Sequence, residues 1–511
     1  MPSLTPLHET YCKWDSTPPS QADVLEGLAQ LVSTSLSGVH ELVQLVQTEV
    51  LRTTLGLSAQ KAKKLQKHPQ LQKFYQFSYD ALQKYGTSFL APSLRHIIEK
   101  FPVLHDKPLT PSLYFVVGAL NGIFGDFFLK QHNPMALPMV LYDHYGSLQQ
   151  GELTGRVVIL THGLCMNHLS WSNSRYGGIG ERLLAQRDNN TMLYLNYNTG
   201  RRISANGRSF ANVLEDLVQR NPRITSIDLI GHSMGGLVSR SALFYGKQNL
   251  YQWVHMVENL VCIGSPHHGA VLERFGFILQ DKLGAFPFIS LIGQLVNVRS
   301  NGILDLRHGS VRDDDWEHND ARIGFADDNR KPAPLPSHIN TFLIAGTLEF
   351  EKLRNKALSV IGDYLVSVKS ALGEHPNPRF QLKLPDTHKA VFYGLNHFEI
   401  QYHSSVAEQI TRWLYPDAKE KVEAGVQTHM INVPNNYTFD DLEGIANQLC
   451  ERIQDTRILA GSEAYMSALA LYRLFGSAAE AGVPGADTIV DHLKERFNQS
   501  TSNPAPATPA L

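Results

Sequence analysis

Cysteine is scarce in this chain of 511 residues: Cys12, Cys165, Cys262 and Cys450 are scattered along it without the spacing of a ligand set. That excludes a disulfide framework or a zinc site as the organising feature, and buried free thiols are expected. An excess of charge of either sign is missing too. There are 46 Lys and Arg against 48 Asp and Glu, a net charge of -2, which offers nucleic acid no electrostatic footprint. The first ten residues have neither the basic start nor the continuous apolar run of a secretory signal, so the expected location is cytoplasmic. The most apolar stretch, Leu113 to Leu129, is interrupted by Asn121 and Asp126 and contains three glycines. It reads as a buried helix and not as a membrane span.

What is present falls into sections. Residues 1–135 read mainly as helix, since Val24, Leu25, Leu28, Leu31, Val32, Leu36 and Val39 recur at helical spacing. From 136 to 416 the texture changes to short β-branched and aromatic runs separated by helical segments and glycine turns, the alternation of a mostly parallel α/β sheet flanked by helices. The expected strands are Met139–Tyr142, Arg156–Thr161, Met192–Tyr197, Ser226–Ile230, Asn259–Ile263, Thr341–Ala345 and Ala390–Tyr393. Residues 417–499 read as a small helical module, starting near Thr438 and Asp441. The tail, 500–511, is rich in Pro, Ala, Ser and Thr and has too little apolar matter to fold.

The strongest local signal is the run Ser226-Ile-Asp-Leu-Ile230, then Gly231-His-Ser233-Met-Gly235-Gly236, then an apolar helix start. It reads strand, sharp turn, helix. In such an elbow Ser233 stands exposed on the turn, and Gly231 and Gly235 sit where a side chain would collide with the strand or the helix. A serine hydroxyl becomes a useful nucleophile only when a histidine takes its proton, and that histidine needs a carboxylate to hold it. Asp363 follows the strand at Thr341–Ala345, and His397 follows the strand at Ala390–Tyr393. Both therefore stand beyond strand C-termini, as Ser233 does, and in the chain order serine, acid, histidine. Asp305 and Asp386 remain available as acids and His403 as base. Charge developing on a substrate carbonyl needs backbone donors. The amides of Met234, after the serine, and of Leu164, in Thr161-His-Gly-Leu164, are the candidates.

Together His162-Gly-Leu164, Gly231-His-Ser-Met-Gly-Gly236, Gly264-Ser-Pro-His-His-Gly269, Gly362-Asp-Tyr-Leu-Val366 and His397 resemble the lipase-like α/β-hydrolases, bacterial esterases and lipases and GPI-inositol-deacylase-like enzymes among them. The resemblance spans roughly residues 138–415 and implies the same triad. Tyr364 departs from it, because relatives more often place glycine after the acid. Leu120-Asn-Gly122, Gly125-Asp126 and Asn133-Pro134 resemble uncharacterised bacterial members with a helical N-terminal extension.

Between residues 270 and 300 lies an apolar insert bearing Phe275, Phe277, Phe286, Phe288 and Leu291. It is expected to act as a lid and acyl pocket. The acidic run from Asp313 to Asp320 lacks the alternating ligands of a calcium loop and reads as a solvated loop. The resulting expectation is an esterase or lipase acting on a hydrophobic acyl ester. It would work without cofactor or metal, with room for peripheral contact with a lipid surface and for a protein partner on the C-terminal helices. An acyltransferase with the same triad, and a non-catalytic scaffold on a hydrolase frame, stay open.

Overall fold

Each central strand pairs alternate apolar residues with opposite faces, which is what a sheet covered on both sides requires. On one face Val157, Ile159, Leu229, Leu260, Cys262, Leu343 and Val391 enter the larger core; on the other Val158, Leu160, Ile230, Val261, Ile263, Ile344 and Phe392 enter a second one. The strands are β1 (Val140–Tyr142), β2 (Gly155–Thr161), β3 (Asn190–Asn196), β4 (Ile224–His232), β5 (Val257–Ile263), β6 (Asn340–Thr347), β7 (Lys389–Tyr393) and β8 (Gln427–Met430). They form one sheet in the order β1-β3-β2-β4-β5-β6-β7-β8. β1 runs antiparallel to β3 and every other pairing is parallel. This is the α/β-hydrolase fold. The structure is a computed structural model and describes residues 17–33, 90–172, 178–184, 190–270, 300–316, 330–348, 362–416 and 427–430. The chain divides into two compact units, Met1–Ile431 and Asn432–Leu511, and every described residue belongs to the first.

Among the described residues the helices longer than one turn are α1 (Gln21–Ser33), α2 (Leu90–Lys100), α3 (Pro111–Lys130), α4 (Ile179–Leu184), α5 (Ile203–Arg220), α6 (Met234–Gln248), α7 (Asn301–Leu306) and α8 (Ser404–Leu414). The larger core takes Leu25 and Leu28 of α1, Val117 and Phe128 of α3, Phe210 and Leu214 of α5 and Leu237 of α6. The second takes Leu183 of α4 and Val406 and Ile410 of α8. Of the seven strands expected from sequence, all are present within a few residues of their expected ends. β8 was not expected. It lies past residue 416, where only helix was read, because Gln-Thr-His-Met is too short and polar to show a strand pattern.

α3 is long and apolar enough to cross a membrane, yet 72% of its most apolar window is buried within the domain. Thr110 caps it, its Oγ1 accepting from the Leu113 amide at 3.3 Å. Asn121, the interruption seen in sequence, is fully satisfied inside. Its Nδ2 donates to the carbonyls of Val117 and Met135, each at 2.8 Å, and its Oδ1 accepts from the Leu137 amide at 2.9 Å. Gly118, Gly122 and Gly125 line one face of the helix and let it approach Met166, Cys165 and Asn198 at backbone range. Residues assigned from sequence to an N-terminal extension thus pack directly on the loops beyond β2 and β3.

The expectation of a solvated acidic loop is corrected over its described part. Asp315 is buried, and its carboxylate accepts from the amides of Val311, Arg312 and Lys331 at 2.9–3.0 Å. Asp313 pairs with Arg208. Composition alone does not show that a carboxylate is tying a turn together. Phe275, Phe277, Phe286, Phe288 and Leu291 of the expected lid, and the helices and tail expected after residue 431, lie outside the described residues.

Candidate active site

β4 is the middle of the sheet and ends at His232; the next residue, Ser233, adopts φ 54° and ψ -123° before α6 starts at Met234. A side chain rarely takes that conformation, and here the surroundings fix it. The Ser233 amide donates to the Ile263 carbonyl at 2.8 Å, tying the turn to β5. A Cβ at Gly231 would drive into the backbone of Gly235 and Gly236, and one at Gly235 into the Thr161 carbonyl. The two glycines therefore allow α6 to leave the sheet so abruptly, and Ser233 is left at the tip.

Asp363 and His397 arrive from the ends of β6 and β7 on the same side. His397 Nδ1 donates to Asp363 Oδ2 at 2.7 Å, and Ser233 Oγ donates to His397 Nε2 at 2.8 Å. An ionised carboxylate only accepts, so the neutral ring carries its proton on Nδ1 and leaves Nε2 bare toward the serine. All three residues are buried, with Ser233 8%, Asp363 1% and His397 2% exposed. The second oxygen of Asp363 accepts from the amides of Leu365 and Val366 at 3.0 and 2.8 Å, and its own carbonyl accepts from the His397 amide at 3.0 Å. Tyr364 sits at φ 88°. Its position has the conformation that glycine adopts without cost, so the departure from the family pattern changes the residue and keeps the turn.

Three other groups had been available from sequence and are engaged elsewhere. Asp305 binds Arg202 at 2.5 Å and accepts from the Ile203 amide at 2.8 Å, so it anchors the start of α5. Burial raises its pKa to about 6 against the pull of Arg202. Asp386 is largely exposed beside Lys389. His403 caps α8, its Nδ1 accepting from the Ser405 amide at 3.3 Å.

The two amides expected to receive an oxyanion are those of Met234, which follows Ser233, and of Leu164, which follows Gly163. A Cβ at Gly163, next to Leu164, would stand 3.0 Å from the Ser233 Cβ, which places the loop after β2 against the nucleophile. Neither amide donates to a backbone carbonyl among the described residues, and Met234 is the first residue of α6, where helix geometry leaves the N–H unused. The loop is held by neighbours: the Cys165 amide donates to Thr199 Oγ1 at 3.2 Å and Tyr197 donates to the His162 carbonyl at 2.7 Å.

One residue of the site escaped sequence reasoning. His232 Nε2 donates to the His397 carbonyl at 2.8 Å, and the two rings lie 4.9 Å apart. Burial holds the His232 pKa well below its ordinary value, so the ring is neutral. Its place inside the elbow was visible, but its partner is a main-chain oxygen with no signature.

Residues 152–375 match the family model of the PGAP1-like alpha/beta domain. Over these residues the domain, which has the α/β-hydrolase fold, is similar to that family. The matched stretch of this hydrolase domain contains Ser233 and Asp363 and ends before His397. Among solved structures, the hydrolase domain is similar to the mature Bacillus licheniformis lipase BlEst2, at 18% identity over 52% of this chain and 93% of that one, with TM-score 0.32. It is also similar to the naproxen esterase of Bacillus subtilis, at 13% identity over 52% of this chain and 86% of that one, with TM-score 0.29. A comparison with curated proteins finds no match.

Proposed function

We propose that this hydrolase is a serine carboxylic-ester hydrolase acting through an acyl-enzyme on Ser233. The observation that carries this reading is the unbroken chain from Ser233 Oγ through His397 to Asp363, at 2.8 and 2.7 Å, on an elbow beside two unused amides. His397 Nε2 takes the hydroxyl proton as Oγ bonds to the ester carbonyl carbon. The carbonyl oxygen becomes an oxyanion, which the Leu164 and Met234 amides receive. The intermediate collapses, the carbon–oxygen bond to the alcohol breaks, and the alkoxide leaves with the proton from His397. Water then attacks the acyl-serine, giving up a proton to His397; Ser233 is protonated again and the carboxylic acid departs. Asp363 stays ionised throughout and stabilises the imidazolium.

The apolar insert between residues 270 and 300 supports a hydrophobic acyl group as the substrate's recognised part. The test is hydrolysis of p-nitrophenyl esters from acetate to palmitate by the full-length protein beside Ser233→Ala, with circular dichroism on both. Turnover by the wild type that is lost in a folded variant is the expected result. A wild type inert on every chain length, and unlabelled at Ser233 by a fluorophosphonate, refutes the proposal.

A further inference from the structure

The turn after β5, Gly264 to Gly269, borders a second cavity of about 110 Å³ that shares no residue with the Ser233 site. Four cationic side chains line it, Arg240, Arg330, Lys331 and Arg379, against the single carboxylate of Asp315. Arg240 lies seven residues beyond Ser233 on α6, roughly 10 Å along the helix, and is buried with 7% exposure. Its two terminal nitrogens are engaged, Nη1 donating to His267 Nδ1 at 3.0 Å and Nη2 to the Ala333 carbonyl at 3.3 Å. Its Nε has no hydrogen-bond partner among the described residues. Asp315 is near, but its oxygens accept from the three backbone amides described above.

His267 repeats the pattern. It is fully buried, and since Nδ1 accepts from Arg240 its proton is on Nε2, which also lacks a partner. Arg330 enters from the opposite wall, its Nη1 donating to the carbonyls of His267 and Gly309 at 2.9 and 3.2 Å. Loop-stapling explains the engaged nitrogens. It does not explain two buried donors with nothing to bind among the described residues, which cost free energy unless a ligand completes them.

We propose that this cavity binds a phosphate-type oxyanion, with Arg240, His267 and Arg330 as its inner donors and Lys331 and Arg379, both exposed, at its mouth. Donors converging from separate segments, with three arginines against the one carboxylate of the lining and Lys331 shared with Asp314 at 3.5 Å, match a compact doubly charged tetrahedral anion better than a flat single carboxylate. The same chemistry comes as free phosphate or as a phosphomonoester headgroup of a lipid. The site does not depend on the ester-hydrolase reading.

The experiment is calorimetric titration of the full-length protein with inorganic phosphate at ionic strength held constant with chloride, joined to thermal unfolding. Saturable binding and a raised midpoint are expected. Arg330→Gln should weaken binding at least about tenfold, since a charge-assisted hydrogen bond is lost. Arg379→Ala, at an exposed position that folding does not need, should weaken it about threefold. Ser233→Ala should bind like the wild type, which separates this site from failure of the nucleophile assignment. Vesicles of phosphatidylcholine with and without phosphatidic acid supply the second arm. Capture by the acidic vesicles that free phosphate competes away assigns a headgroup; binding of free phosphate without capture assigns a soluble anion. No saturable phosphate binding, acetate binding equally well, or both Arg330→Gln and Arg379→Ala binding like the wild type overturns the proposal.

Discussion

Replacing Asp363 by Asn tests the orienting role of the acid with little disturbance of shape. In the wild type one carboxylate oxygen serves the Leu365 and Val366 amides and the other serves His397 Nδ1. Asparagine has one oxygen, and two backbone donors compete for it against one ring nitrogen. The oxygen stays with the amides, so the side-chain NH₂ faces His397. A donor facing Nδ1–H is repelled, and the ring shifts its proton to Nε2, where it confronts the Ser233 hydroxyl and cannot accept from it. A wrong tautomer of this kind lowers kcat by about 10⁴, or roughly 5.5 kcal/mol of barrier at 1.36 kcal/mol per decade. KM should hold, because a carboxylate 1% exposed does not touch the substrate. The assay is steady-state hydrolysis of a p-nitrophenyl ester together with the rate of fluorophosphonate labelling at Ser233, with circular dichroism to confirm the fold. Activity within tenfold of wild type in the folded Asp363→Asn variant refutes the reasoning.

Asp305→Asn makes the contrasting case: its loss should lower the unfolding midpoint by about 2–4 kcal/mol of stability through the unpaired Arg202, while residual kcat stays near wild type. His232→Ala removes the donor to the His397 carbonyl and should lower kcat about tenfold with KM little changed, and His232→Gln, which keeps a donor, should recover part of it. Gly235→Ala forces a methyl into the Thr161 carbonyl and should destabilise by about 1–3 kcal/mol, read as a lower urea midpoint, with activity lost as the elbow shifts. Acid should unfold the protein early. His162, His168 and His268 are held neutral by burial with pKa values of about 3, 4 and 4, and burial drives His232 and His267 well below 6.5. The unfolded chain therefore binds more protons, so stability present above pH 6.5 is lost as pH falls toward 4. A thermal midpoint that is flat from pH 7 to 5 would contradict this.

Much of the sheet was legible because a parallel strand buried on both faces is a short unbroken apolar run, and Val157 to Leu160 or Leu260 to Ile263 can hardly be anything else. β8 was hidden for the opposite reason: at the edge of the sheet a polar four-residue segment needs only backbone pairing with β7, and backbone pairing leaves no mark on residue type. α3 was legible as a buried helix, since Asn121 and Asp126 ruled against lipid. Its glycine face was on view as well, yet nothing in the spacing of Gly118, Gly122 and Gly125 said that the surface they fit is the loop bearing Leu164 and Cys165.

The candidates Ser233, Asp363 and His397 were readable from chain order, a serine between glycines directly after β4, then an acid after β6 and a histidine shortly after β7, and the fold brings these strand ends to one side. Contacts through main-chain oxygens were not readable. The His232–His397 link and the Tyr197 hold on the His162 carbonyl require knowing where two loops pass, which chain order does not give. The cationic cavity is the limiting case. Arg240 comes from a helix, Arg330 and Lys331 from one further segment and Arg379 from another, with the neutral His267 on the turn after β5. In a chain of net charge -2 no stretch of sequence is basic enough to signal them, and only convergence in space turns four ordinary cations into a field that calls for an anion.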